Sequence, residues 1–238
     1  MLKQLREKVC QANIELKRSG IVIYTWGNVS EIDLESHLVV IKPSGVSYDK
    51  MTPRDMVVVD LMGNIVEGDL NPSSDLPTHL YLYNHFPTLG GITHTHSVNA
   101  TAFAQAGLNI SPLGTTHADY FYGEILCTRE LLEKEVKENY EYNTGKVIEE
   151  SIKQLENPLT VPGILVKSHG PFTWGKDCFE AVHNAVVLET IAEMAFKTSI
   201  INSKILSIPD YILDKHYSRK HGKNAYYGQI LFWTGRFE

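Results

Sequence analysis

Residues 37–68 read HLVVIKPSGVSYDKMTPRDMVVVDLMGNIVEG. LVVI at 38–41 and MVVVDL at 56–61 are short runs of aliphatic, largely β-branched residues bounded by Pro, Gly and Asp, the pattern of strands, and Met62-Gly63-Asn64 supplies a hairpin turn into IVEG. Outward from this stretch, IVIYTW at 21–26 and GGITHTH at 90–96 have the same character. Helical signals surround them. Leu2, Leu5, Val9 and Leu16 recur at near-helical spacing before a stop at Gly20. PTHLYLYNHF at 77–86 begins with a proline suited to a first turn, SVNATAFAQAG at 97–107 runs from a Ser cap to a Gly stop, and the segment from Asp177 to Phe196 opens with Asp177 and Glu180 at capping-box spacing. The expected fold is a single α/β domain whose central, mainly antiparallel sheet is flanked by helices on both sides. Residues 124–160, charged throughout, are expected to form two solvated amphipathic helices with i,i+4 ion pairs.

The 238 residues are 43% hydrophobic and 21% charged, enough apolar material for a sizeable core and too much for a disordered polymer. A net charge of -6 without a long basic run gives no electrostatic footprint for nucleic acid or a membrane surface, so a small-molecule partner is expected. Cys10, Cys127 and Cys178 lie far apart and lack CxxC spacing, which points to a reducing compartment. The charged, amphipathic start is no signal peptide and no segment approaches the roughly 20 apolar residues of a membrane span, so the expected location is the cytoplasm. There is no low-complexity linker and no repeat. One domain over 1–229 and a tail, 230–238, of unassigned role are expected.

The sharpest local feature is GGITHTHS, where His94 and His96 alternate in a strand-like run, so that both rings point to one face about 6.6 to 6.8 Å apart along the backbone. Two imidazoles placed so can converge on one ion, although half-buried, satisfied histidines use the same spacing. His169, in VKSHGPFTWG, follows an apolar strand and precedes Gly-Pro, and could supply a third nitrogen. Asp75, in PSSDLPTH, suits a helix N-cap and equally a fourth, oxygen ligand. His37, His79, His85, His117, His183 and His221 are expected to be structural or solvent-facing.

Three loops combine small residues with turn amides: TWGNVS with Gly27 and Asn28, KPSGV with Lys42, Ser44 and Gly45, and PSSD with Ser73 and Ser74. Lys42 beside Ser-Gly offers a positive charge with hydroxyl and N–H donors, and Ser73 and Ser74 precede a helix whose dipole favours an anion. Each string is also an ordinary turn when taken alone. GxGxxG and the Walker pattern are absent, which disfavours a nucleotide.

In order along the chain, TWGNVS, IKPSGV, PSSDLPTH, GGITHTHS, GTTHADYFYG, VKSHGPFTWG and DKHYSRKHG with AYYGQ resemble the class II aldolase family, and within it the branch that epimerises ketopentose phosphates at carbon 4. The resemblance implies a C4 homotetramer with active sites shared between subunits and one Zn(II), or another divalent ion, in each subunit. It places Asp75, His94, His96 and His169 on the metal ligands, and Gly27, Asn28, Ser44, Gly45, Ser73 and Ser74, with Lys42 adjacent, on substrate-contact loops. It further places Asp119 and Tyr227 on two acid/base positions, with His216 as another site residue.

Inversion at carbon 4 cannot begin by abstraction of its hydrogen, which is not adjacent to the carbonyl. Cleavage of the bond between carbons 3 and 4 and re-addition after rotation of the aldehyde would invert the centre, with Asp119 and Tyr227 moving protons at the carbon 4 hydroxyl. Two rivals stand beside this expectation. A sugar-phosphate aldolase of the same family, of fuculose- or rhamnulose-phosphate type, would release the fragments; the resemblance implies Asp at position 75 in epimerases and Glu in many aldolases. A non-catalytic interaction domain would have lost the ligand set, which is complete here.

Overall fold

The computed structural model describes residues 1–223, 225 and 226. The chain runs α1 (Lys3–Arg18), β1 (Asn28–Asp33), β2 (Leu38–Ile41), β3 (Val57–Asp60), β4 (Ile65–Glu67), α2 (Leu76–His85), β5 (Gly91–His94), α3 (Val98–Ala106), α4 (Thr115–Ala118), α5 (Glu133–Ile152), β6 (Gly163–Val166), β7 (Gly170–Gly175), α6 (Cys178–Ile201) and α7 (Asp210–His221). Seven strands form one sheet in the order β4-β3-β2-β1-β5-β7-β6, and every pairing is antiparallel. The expected α/β architecture is the one observed.

β2, β3 and β6 read as nearly unbroken apolar runs because both faces of the sheet are covered there. Val39, Ile41, Val57 and Val59 point into a core shared with Leu76, Leu80 and Leu82 of α2 and Ile148 and Ile152 of α5. The alternate residues Val40 and Val58 point to the opposite face, against Val9, Ala12 and Leu16 of α1 and Val182 and Ala185 of α6. Each fully buried valine removes enough apolar surface from water to contribute about 1.5 to 3 kcal/mol. The hairpin after β3 turns where expected: Asp60 accepts from the N–H groups of Met62 and Asn64 at 2.9 Å each, and Gly63 takes φ +89°.

Three expectations need correction. IVIYTW is not a strand: Ile23, Tyr24 and Trp26 are exposed, Tyr24 has φ +52°, and the Trp26 N–H turns back to the Ile23 carbonyl at 3.0 Å. The strand instead begins at Asn28, in the polar string NVSEID, which the sequence presents as a loop. The charged stretch 124–160 has the expected i,i+4 ion pairs, Lys134–Glu138 and Lys137–Glu133, and two helical segments, but it is not solvated throughout. It holds α5, kinked at Asn139, whose Asn143, Thr144, Gly145, Val147, Ile148 and Ile152 are buried, with Gly145 so close to α2 that a Cβ there would stand 2.6 Å from Tyr81. Finally, Ser97 occupies the N-cap of α3 without donating or accepting a side-chain cap bond; the Glu189 carboxylate of α6 accepts from the Asn99 and Ala100 N–H groups instead. Asp177 does cap α6, accepting from the Glu180 N–H at 2.9 Å. Among the described residues no helix is long and apolar enough to cross a membrane.

Candidate active site

The C-terminal end of β5 and the β6–β7 turn, at the same end of the sheet, bring the histidines together. His94 is the last residue of β5, His96 follows two residues on, and His169 closes the 167–169 turn between the paired strands β6 and β7. Gly170 and Pro171 thus begin β7 rather than forming a turn of their own. The Pro171 carbonyl accepts from His94 Nδ1 at 2.9 Å, which orients the ring with its Nε2 toward the other two histidines. That Nε2 lies 3.1 Å from His96 Nε2, and the candidate ligand atoms of His94, His96 and His169 all lie within 4.8 Å of one another. Phe172 stacks on His94 at 4.2 Å between centroids and closes the site from behind.

Burial, with the neighbouring His94 ring, holds His96 below its ordinary value, and the same causes push His169 down to about 3. Both rings are therefore neutral at pH 7 and offer lone pairs. His169 Nδ1 is buried with no hydrogen-bond partner among the described residues. Three imidazoles gathered at one point, one ring with an orphaned buried nitrogen, suit a divalent cation of intermediate softness better than they suit one another.

Asp75 stands at the N-cap position of α2, yet its side chain caps nothing. One carboxylate oxygen accepts from Asn28 Nδ2 at 2.6 Å. Burial raises its pKa, but the fields of His94, His79 and His169 and the Asn28 bond outweigh that, leaving Asp75 below the usual carboxylate range. The helix-cap alternative is thereby set aside.

Asp75, His96 and His169 line a cavity of about 560 Å³ together with Gly27, Asn28, Lys42, Ser44, Gly45, Ser73 and Ser74, so all three small-residue loops of the sequence reach one space. The second and third loops are stitched together by the Ser44 N–H to the Asn71 carbonyl and the Ser73 N–H to the Lys42 carbonyl, both 2.9 Å. Those two amides are spent on the loops themselves; the Ser44 and Ser74 hydroxyls and the Lys42 ammonium remain for an anion. Lys42 is 2% exposed, donates to the Pro43 carbonyl at 3.1 Å, lies over the Tyr48 ring, and is lowered to about 8 by burial. Gly27 is dictated locally: it has φ +80°, and a Cβ there would meet the His94 carbonyl oxygen at 2.7 Å.

Asp119 and His216 come together but do not line this cavity. His216 Nδ1 is 3.0 Å from the Asp119 carboxylate, which also accepts from Arg219 Nε at 2.9 Å, on the contact between α4 and α7. Burial raises Asp119, and the bonds from Arg219 and His216 with the charge of Lys220 more than reverse this. Tyr227 and the tail 230–238 lie outside the described residues. Sequence reasoning missed Trp26, Tyr140 and Glu141, which also line the cavity. Tyr140 was hidden in the charged run, although the buried stripe Thr144, Val147, Ile148 and Ile152 at helical spacing marks that run as packed and not merely solvated.

Residues 7–196 match the family described as Class II Aldolase and Adducin N-terminal domain. The chain belongs to this family. Solved structures share its fold across nearly the whole of both chains. An L-fuculose 1-phosphate aldolase is 22% identical, with 91% of this chain and 95% of that one covered and a TM-score of 0.77. YgbL of Klebsiella pneumoniae, a candidate aldolase/epimerase/decarboxylase, is 24% identical over 90% and 99%, with a TM-score of 0.72. The L-fuculose-1-phosphate aldolase of Thermus thermophilus is 21% identical over 86% and 98%, with a TM-score of 0.66. The class II aldolase family thus accounts for the sheet and the helices around it.

Proposed function

We propose that this class II aldolase-family chain is a cytoplasmic epimerase that interconverts L-ribulose 5-phosphate and D-xylulose 5-phosphate. The observation that carries the reading is one cavity lined by His96, His169, the Asp75 carboxylate and the Lys42–Ser44–Ser74 donor set, with His94 clustered beside the other two imidazoles. His94, His96, His169 and Asp75 would hold a divalent ion, with zinc fitting the nitrogen-rich donor set. When bound, such an ion supplies Lewis-acid stabilisation of negative charge on the substrate's carbonyl and hydroxyl oxygens, a contribution of several kcal/mol.

The chain's own groups supply the rest. The Ser44 and Ser74 hydroxyls, aided by Lys42, bind the phosphate end and anchor the aldehyde fragment after carbons 3 and 4 part, so that it rotates without leaving. The pairing with Arg219 and His216 keeps Asp119 ionised at neutral pH, ready to accept the carbon 4 hydroxyl proton. Tyr227 would act on the same hydroxyl from the opposite face. Because Asp119 does not line the cavity of its own chain, it acts in this reading on the cavity of a neighbouring subunit of a C4 tetramer.

Aspartate and not glutamate at position 75 favours the epimerase over the second reading, a sugar-phosphate aldolase, which the likeness to L-fuculose 1-phosphate aldolases keeps in view. Incubation with L-ribulose 5-phosphate should yield D-xylulose 5-phosphate without net release of glycolaldehyde phosphate. Cleavage of L-fuculose 1-phosphate with no epimerisation of the pentose would establish the aldolase instead.

A further inference from the structure

Tyr48 does not line the cavity, yet it touches two of the loops that do. It follows β2 and is buried in the core that the sheet shares with α1 and α6. Its hydroxyl stands 2.9 Å from the carbonyl oxygens of both Trp26 and Gly27 and donates its one hydrogen between them. Its ring carries the Lys42 ammonium 4.9 Å from the centroid. Trp26, Gly27 and Lys42 all line the cavity, so the three contacts of this one side chain fall on the first two small-residue loops.

The partners of Lys42 explain why an aromatic ring stands there. Among the described residues its ammonium is met by the Pro43 carbonyl at 3.1 Å and by the Tyr48 ring, and no carboxylate is within ion-pair reach of it. A buried cation has to be compensated for the water it loses. A carboxylate would do this most strongly, but it would also cancel the field that draws an anion into the cavity. A π-face and a carbonyl dipole compensate in part and leave the positive charge standing. The hydroxyl serves the other loop. Gly27 bends the chain into β1 with φ +80°, and Tyr48 takes up the carbonyls on both sides of that bend. Phenylalanine would serve Lys42 alone, and leucine neither loop.

We propose that Tyr48 is a positioning residue for the anion end of the cavity: its ring holds the Lys42 ammonium at the cavity wall and its hydroxyl holds the Trp26–Gly27 bend, so that one buried side chain sets the spacing of the two loops. This rests on the reading of Lys42, Ser44 and Ser74 as the phosphate-binding set. It also accounts for a tyrosine among the largely aliphatic residues packed between the sheet and α1.

The test is calorimetric titration of the full chain with inorganic phosphate, beside hydrogen exchange of the Trp26 amide, which is bonded to the Ile23 carbonyl at 3.0 Å. Lys42→Met should weaken phosphate binding about tenfold or more, which locates the site. Tyr48→Phe keeps the ring and should hold phosphate affinity within about threefold of the wild type, while exchange at Trp26 quickens because the bend has lost its donor. Pentafluorophenylalanine at position 48 nearly keeps the shape of phenylalanine but reverses the ring's quadrupole. Relative to Tyr48→Phe it should weaken phosphate binding about tenfold, a loss that packing alone would not give. Equal affinities in these two proteins, or exchange at Trp26 that Tyr48→Phe leaves unaltered, overturn the positioning role, and the phosphate reading survives if Lys42→Met still loses affinity. Phosphate binding that Lys42→Met does not weaken, or none in the wild type, overturns both. Should the fluorinated protein not fold, Tyr48→Leu, which removes the ring, takes its place, with Val9→Ala in the same core as the measure of destabilisation alone. Equal phosphate affinity in those two variants overturns the role.

Discussion

The Nε2 atoms of His94 and His96 lie 3.1 Å apart, while His94 Nδ1 is tied to the Pro171 carbonyl on the other side of its ring. A cation between such nitrogens replaces a marginal contact with coordinate bonds, so ion binding should stabilise the fold. The purified wild type is expected to hold close to one divalent ion per chain and to melt higher when zinc is added, with about 2.7 kcal/mol of stabilisation at a hundredfold excess over Kd. His96→Ala should lose both the ion and the shift. Elemental analysis showing full occupancy in His96→Ala would place the ion elsewhere.

Neutral burial of His79 and His169 sets a pH dependence whose sign is determined. Both fall to about 3 in the fold, against about 6.5 in an unfolded chain. Between those values the unfolded state binds one more proton per residue, so stability is complete above about pH 6.5 and declines as pH falls, by about 1.4 kcal/mol per unit for each histidine. Asp75, held low, works in the same direction at still lower pH. Urea midpoints of the metal-free protein should therefore drop between pH 7 and pH 5, and His79→Gln should flatten the slope by about one proton. A flat profile over this range would contradict burial of neutral rings.

Gly27 joins the irregular 21–27 segment to β1 in a left-handed conformation pressed against the backbone of His94. Gly27→Ala adds strain of order 1 to 3 kcal/mol and displaces the strand that orients the first imidazole. Both the denaturation midpoint and ion affinity should fall. A variant that loses stability alone would show that His94 tolerates the shift.

Glu189 does for α3 what its own Ser97 does not, accepting from Asn99 and Ala100 N–H groups and from the Asn99 side chain at 2.7 to 2.9 Å. Glu189→Ala should cost about 1 to 2 kcal/mol through the uncapped helix, with ion affinity unchanged. Glu189→Gln, which keeps an acceptor, should recover part of that, as denaturant midpoints would record.

The parts of this architecture legible in the sequence are those where one local pattern admits one physical outcome. Val57, Val58 and Val59 can all be buried only in a strand covered on both faces, and His94 and His96 share a face in any strand. Where the tertiary environment decides, the sequence misleads. IVIYTW has a strand's composition but is left exposed by the turn at Tyr24, whereas NVSEID has a loop's composition but becomes β1 because Asn28 and Ser30 find buried partners on α2. Tyr140 joins the cavity only because α5 kinks at Asn139 and packs on α2, and charge along its outer face masks the stripe that does so.

The separation of Asp119 from the cavity of its own chain leads to the last prediction. If Asp119 and His216 serve the cavity of an adjacent subunit, a chain lacking the ion set and a chain lacking the carboxylate should complement one another. His96→Ala and Asp119→Asn are each expected to be inactive. After unfolding together in equal amounts and refolding, a site is complete when its cavity comes from an Asp119→Asn chain and its carboxylate from a His96→Ala chain, a chance of one half for each, so about a quarter of the sites should recover. The carboxylate itself is held ready on either chain by Arg219 and His216, so no further rearrangement is needed. Mixed tetramers, verified by a mass tag on one variant, that remain as inactive as either parent would assign Asp119 to its own chain's cavity and require α4 and α7 to move toward it.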